Sequence, residues 1–367
     1  MRLGILGTRG IPARYGGFET LAEELSARLT ARGHDVTVYT RTRYAEPGIR
    51  DWRGAKVRVL PTIPTKYLDT VAHGLVSGLD AAFERFDAVL VCNAINAASC
   101  FLPRLSGSTR VVLNVDGLER HRRKWNAIGR LGYAISEKLS TIVPDAVVSD
   151  ARVIQDYYRQ RYRIDSIFIP YGGDLPRPSG RGTLDRLGLS PERYVLYVSR
   201  LEPENNADAV VRAYRDVRGD TPLVVMGDAP YAADYIARVR READPRVRFP
   251  GAIYGEGYRE LLANAAVYVQ ATEVGGTHPA LVEAMGFGRV VCYNQSPDNE
   301  EVAGGAALPF DVTNPASLAS LLQAVLDNPS GHAGWGEKAR RRVGERYLWE
   351  DVAGRYEAVL EGKPLIS

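Results

Sequence analysis

Short apolar runs of strand length recur along the chain, separated by longer stretches whose apolar positions repeat at helical spacing. In the first half the runs are LGILG, DVTVYT, KVRVL, DAVLVC, RVVLNV, DAVVSD and IFIP. After the Gly- and Pro-rich stretch YGGDLPRPSGRG the pattern restarts with YVLYVS, PLVVMG, RVRFP, AVYVQ and RVVCY. Continuous apolar runs suit strands covered on both faces, and their alternation with helices predicts parallel sheets in two doubly wound α/β units. The expected boundary lies in the loop near residues 171–183, dividing a domain over 1–170 from one over 171–348. WEDVAGRYEAVL reads as one more amphipathic helix, and a C-terminal helix over 349–363 is expected to pack back on the first domain.

Size agrees, because 367 residues exceed one comfortable core. With 45% hydrophobic and 25% charged residues, the composition excludes disordered and fibrous classes. Three cysteines at unrelated spacings give no disulfide framework or zinc ribbon and fit a reducing cytoplasm. MRLGILG reads as a first strand rather than a signal peptide, and the polar-interrupted DAVLVCNAINAASCFLP is too short to span a bilayer. Charge is uneven: residues 1–170 carry 25 basic against 17 acidic side chains, and the remainder 22 against 27. A basic first half suits an anionic membrane surface or a phosphorylated substrate, or simply a solvated face. The acidic second half and the lack of a nucleic-acid-reading motif argue against nucleic acid.

Candidate chemistry falls just after the strands, where open parallel sheets bind ligands. Behind the first run, TRGIPARYGGFET offers Gly16, Gly17 and Phe18 as the backbone entry to a helix, with Arg9 and Arg14 nearby for an anionic or acceptor group. A loose G-x-x-G-x-x-G in the same stretch, with Arg41 and Arg43 after the second strand, leaves an NADP-dependent oxidoreductase as a competing expectation. In the second half, EVGGTHPALVEAMGFG presents Gly275, Gly276, Thr277 and His278 before a helix opened by Pro279, with Glu283 about one turn inside. Amides there suit a diphosphate and the carboxylate a ribose diol; a solvated helix carboxylate is the bland alternative for Glu283, and a helix-entry role for His278. YVSRLEPENN brings Arg200 out at a strand end to meet a leaving diphosphate, or to pair with Glu202 or Glu204. NVDGLERHRRKW supplies Asp116, a base or charge stabiliser or else a turn cap, together with Arg122, Arg123 and Lys124, which suit a lipid diphosphate or anionic headgroups. No D-x-D tripeptide stands where a divalent ion would bridge a diphosphate, so metal-independent chemistry and no cofactor are expected.

At these residues the chain resembles the family 4 glycosyltransferases, two-lobed GT-B enzymes in which two Rossmann-like domains face each other across a cleft. GTRGIPARYGGFET, VDGLERHRRKW, RLEPENN and VGGTHPALVEAM, in this order, resemble the branch associated with rhamnosyltransferases of cell-surface polysaccharide assembly. The resemblance implies a nucleoside diphosphate sugar donor, dTDP-rhamnose first and a UDP- or GDP-sugar otherwise. It also implies a glycan or lipid-linked acceptor, retention of anomeric configuration, and a cytoplasmic enzyme peripheral to the membrane. Two departures stand out. Asn205 and Asn206 occupy the place of a lysine that partners phosphate, and the acid usually eight positions before the helix glutamate falls on Gly275, leaving Glu273 nearest. A noncatalytic sugar-binding protein is the remaining alternative.

Overall fold

The computed structural model describes residues 1–63, 65, 68–115, 117, 127–176, 180–229 and 232–365. The chain forms two compact units, Met1–Tyr171 with Trp349–Ser367, and Gly172–Leu348.

In the first unit, the strands are β1 (Arg2–Leu6), β2 (Asp35–Arg41), β3 (Asp51–Trp52), β4 (Ala55–Leu60), β5 (Ala88–Cys92), β6 (Arg110–Asn114), β7 (Ala146–Ser149) and β8 (Ile167–Phe168). They lie in the order β3-β4-β2-β1-β5-β6-β7-β8. All neighbours are parallel except the short β3–β4 pair. Every residue of β5 is buried, as a central parallel strand requires. On one face pack α1 (Gly17–Ala31) and α13 (Trp349–Leu360), closing a core with Leu21, Leu25, Val38, Leu90, Trp349 and Tyr356. The other face carries α2 (Asp69–Glu84), a 3₁₀ segment Ala94–Ser106, α3 (Ala127–Leu139) and α4 (Arg152–Tyr162). The return of α13 is fastened by polar contacts as well: Asn114 donates to the Tyr356 hydroxyl at 2.6 Å, and Arg32 meets Glu357 at 2.6 Å.

The second unit is an all-parallel six-stranded sheet in the order β11-β10-β9-β12-β13-β14. Its strands are β9 (Val195–Val198), β10 (Leu223–Met226), β11 (Val247–Gly251), β12 (Val267–Gln270), β13 (Val290–Asn294) and β14 (Leu308–Phe310). Around them stand α5 (Gly182–Leu187), α6 (Ala207–Tyr214), α7 (Ala233–Arg241), α8 (Gly255–Asn264), α9 (Pro279–Gly286), α10 (Pro297–Ala303), α11 (Pro315–Asp327) and α12 (Pro329–Arg346). Two cores result, one on each sheet face, as buried alternate side chains of β9 show: Val195 and Tyr197 point one way, Leu196 the other. Among the described residues, no helix is long and apolar enough to cross a membrane.

Candidate functional site

Each sheet begins in its middle. β1 is flanked by β2 and β5, and β9 by β10 and β12, so chain order reverses between β1 and β5 and between β9 and β12. At such reversals the loops leaving the strand ends diverge and open a crevice for ligand.

In the second unit the loop after β9 is held rigidly. The Asn205 amide donates to the Arg200 carbonyl at 2.6 Å, while the Tyr197 hydroxyl donates to the Asn205 carbonyl at 2.6 Å. Asn205 is only 3% exposed and fixes the turn that carries Arg200. The Arg200 guanidinium lies 3.5 Å from the Glu202 carboxylate, so the ion pair weighed against a ligand role is present. A partly exposed pair of this kind contributes about 0–1 kcal/mol, and exchanging it for a phosphate costs little. The loops after β9 and β12 are stitched together, Glu273 N donating to the Glu204 carbonyl at 3.1 Å and Asn206 Nδ2 to the Ala271 carbonyl at 2.9 Å. Arg200 and Glu273 therefore belong to one loop cluster at the reversal point.

From that cluster, Gly275, Gly276 and the buried Thr277 lead to α9, with Pro279 at its first position and no acidic residue in its first turn. The leading N–H groups of a helix lack intrahelical acceptors and carry the positive end of its dipole, so this end is open to an anion. His278 caps it in extended conformation, its Nε2 lying 2.9 Å from a carboxylate oxygen of the buried Asp298 in the first turn of α10. A Cβ built on Gly275 would overlap the His278 ring, so glycine at 275 is the condition for the ring's position. Glu283, part-buried, accepts a hydrogen bond from the Tyr258 hydroxyl of α8. Burial and the Glu283 charge push that hydroxyl well above its usual pKa, keeping it a donor.

The first unit differs at its own reversal point, on the loop leaving β1. A Cβ on Gly7, whose φ is +88°, would overlap the Cys92 carbonyl, which brings the loop after β1 directly against the end of β5. Yet this loop supplies its own anions. Glu19, in the first turn of α1, accepts from Arg9 N at 2.8 Å, and Glu23 from Ala13 N at 2.5 Å. The arginines are engaged too: the Arg9 guanidinium lies over the rings of Tyr15 and Tyr44, and Arg14 pairs with Glu46. Phe18 packs its ring toward the core. Gly16, Gly17 and Phe18 thus open a helix whose N-terminal field is partly cancelled by Glu19. Asp116, Arg122, Arg123 and Lys124 lie outside the described residues.

Two family models match the two halves: "Glycosyltransferase Family 4" over residues 15–176 and "Glycosyl transferases group 1" over 192–328. The chain belongs to the group 1/family 4 GT-B glycosyltransferases. It is similar along 98% of both chains, at 24% identity, to the GDP-mannose-dependent alpha-(1-6)-phosphatidylinositol monomannoside mannosyltransferase of Mycolicibacterium smegmatis. Among solved structures it superposes on sucrose-phosphate synthase from Thermosynechococcus elongatus with a TM-score of 0.80, at 16% identity and covering 98% of each chain. It also superposes on HepE from Anabaena, solved with UDP, with a TM-score of 0.76, at 16% identity and covering 99% and 100% of the two chains.

As a nucleotide-sugar-dependent glycosyltransferase, the chain leaves no room for the oxidoreductase expectation. The structure agrees, since Arg41, weighed as a 2′-phosphate partner, is buried and donates to the Thr8 carbonyl at 3.1 Å and to Asp69 at 2.5 Å. Sequence reasoning missed the partners behind the glycosyltransferase loops, namely Tyr258, Asp298 and Asn205 as a support. Tyr258 and Asp298 reach α9 from neighbouring helices, and no local spacing signals such contacts.

Proposed function

We propose that the second unit, over residues 171–348, binds a nucleoside diphosphate hexose, a GDP- or UDP-sugar, and that the enzyme passes the sugar to a lipid-linked acceptor. The observation that carries the donor site is the acid-free N-terminus of α9 at the sheet's reversal point, with Glu283 one turn inside. In this scheme the diphosphate lies on the amides of Gly275, Gly276, Thr277 and His278, Arg200 exchanges Glu202 for a phosphate oxygen, and Glu283 takes the ribose diol. His278, anchored by Asp298, supplies a donor where the family's lysine is replaced by Asn205 and Asn206. Glu273 faces the sugar.

The first unit is assigned the acceptor, with Asp116 nearest the reacting carbon and Arg9, Arg14, Arg122, Arg123 and Lys124 on the acceptor and membrane side. During transfer the bond from the anomeric carbon to the diphosphate oxygen breaks as the acceptor oxygen bonds on the same face. The acceptor proton passes to the departing phosphate oxygen, so no protein nucleophile and no metal is needed. GDP-sugar stands first because the relative matched end to end is named for GDP-mannose and a phosphatidylinositol mannoside.

dTDP-rhamnose is the second reading, favoured by one observation: glycine at 275 removes the acid that would receive sugar hydroxyls, which a deoxysugar needs less. A calorimetric panel of GDP-mannose, UDP-glucose and dTDP-rhamnose, followed by nucleotide release with phosphatidylinositol or polyprenyl diphosphate acceptors, separates the two. Tight binding and turnover of dTDP-rhamnose alone overturns the hexose assignment. Failure of all three to bind, or their equal binding to an Arg200→Ala, Glu283→Ala double variant, overturns the donor site.

A further inference from the structure

Glu283, the carboxylate of α9, has one oxygen committed before any nucleotide arrives: its Oε2 accepts a hydrogen bond from the Tyr258 hydroxyl of α8. A hydroxyl donating to a carboxylate makes one of the stronger hydrogen bonds available to a protein. Burial first and the Glu283 charge second push the Tyr258 pKa well above its usual value, so the hydroxyl stays protonated and goes on donating. The tyrosine has little freedom to let go. Its ring packs on the core that α5, α8 and α9 share through Leu184, Leu261, Leu262 and Leu281. Two residues further along α8, the buried Glu260 accepts from Thr183 N and Leu184 N, both at 2.8 Å, which pins α8 to α5. A Cβ built on Gly257 would lie 2.9 Å from Thr183 Oγ1, so the two helices touch closely beside the tyrosine. Tyr268 of β12 also feels the Glu283 charge, but its hydroxyl donates to Gln270 Oε1 at 2.9 Å.

A site that depends on a ligand hydroxyl to satisfy a desolvated oxygen rejects the analogue lacking that hydroxyl, because the oxygen is then left without a donor. A carboxylate needing one hydroxyl for each of its oxygens would tell ribose from 2′-deoxyribose in this way. Here Oε2 keeps its donor whether or not a 2′-hydroxyl arrives. Displacing Tyr258 to admit that hydroxyl gains nothing, since one O–H replaces another and the phenol is left buried without its acceptor. On the donor site assigned above, we propose that Tyr258 determines nucleotide specificity: it holds Glu283 Oε2 and narrows the carboxylate's grip to one pentose hydroxyl, so the site takes ribo- and 2′-deoxyribonucleoside diphosphates alike. Tyr258 acts through Glu283 and is a positioning residue. Discrimination between donors then falls to the base and to the transferred sugar.

The test is calorimetric binding to the full chain of two pairs that differ in one hydroxyl, UDP against 2′-deoxy-UDP and GDP against 2′-deoxy-GDP. Within whichever pair binds, the parent is expected to hold both members within about threefold of each other. Tyr258→Phe should favour the ribonucleotide by about tenfold, the worth of one hydrogen bond to a charged group. The ratio is the readout because a general loosening of α8 lowers both affinities together and leaves it unchanged. A parent preference for the ribonucleotide beyond about threefold overturns the proposal, as does a Tyr258→Phe ratio equal to the parent's. The parent ratio needs no variant, so it decides the matter even if Tyr258→Phe fails to fold. Binding of neither pair to the parent removes the donor site itself and this role of Tyr258 with it, an outcome distinct from binding with the wrong ratio.

Discussion

Helices α1 and α9 both start beside the point where a sheet reverses direction, α1 leaving β1 and α9 leaving β12 on the other side of its reversal, each from a glycine-containing loop, yet they treat negative charge in opposite ways. The first turn of α1 holds Glu19, whose carboxylate already accepts from the Arg9 amide. The first turn of α9 holds no acid, and its carboxylate, Glu283, sits deeper under the Tyr258 hydroxyl. Glycine in a loop makes close approach possible; whether an anion is welcome depends on what the helix has already placed at its own end. By that measure, among the described residues, α9 starts without an acid of its own, while the pair of arginines beside α1 is occupied with rings and a glutamate.

The sharpest way to break this contrast is to remove the charged partners on the α9 side. Arg200→Ala should lower turnover about 10²–10³-fold and Glu283→Ala should weaken donor binding at least about tenfold, read from nucleotide release and calorimetry. Near-parent kinetics in both would erase the distinction between the helices. A second experiment couples Gly275 to His278. Gly275→Ala should cost about tenfold in donor affinity by displacing the ring, and adding it to His278→Ala should cost little more, a coupling of about 1 kcal/mol in a double-mutant cycle. Strict additivity would mean that the ring's position does not matter.

On the α1 side the expected change is in stability rather than binding. Glu19→Ala leaves the Arg9 amide without its acceptor and should cost about 1–2 kcal/mol in denaturant unfolding, with donor affinity unchanged. An effect confined to low pH concerns His73, wholly buried on α2, where burial first and the Arg41 guanidinium second lower its pKa from 6.5 to about 4. The folded state then binds fewer protons than the unfolded one between these values, so the contribution is complete above pH 6.5 and is lost as pH falls toward 4. His73→Gln should flatten the unfolding midpoint across that window.

The architecture was readable because parallel strands buried on both faces write themselves as continuous apolar runs, and each run read as a strand lies on one. The strands overlooked were β3 and β14, two and three residues long, too short to carry a pattern. The 3₁₀ segment Ala94–Ser106 is harder to read, since it continues the apolar stretch of β5 almost without a break and includes Pro103. At the site, loop positions were legible from Gly, Pro and charged residues after strands. Their occupancy was not. That Glu19 reaches back to Arg9, that Asn205 turns inward to Arg200, or that His278 leans on Asp298 depends on side-chain direction across loops, which spacing does not encode.

The assignment of Trp349, Val352, Tyr356 and Leu360 to the first core has a consequence for biosynthesis. A ribosome releases Met1–Tyr171 long before this last helix, so the growing chain carries a sheet face covered by α1 but not yet by α13 while the whole of Gly172–Leu348 is being made. The half begun first is completed last.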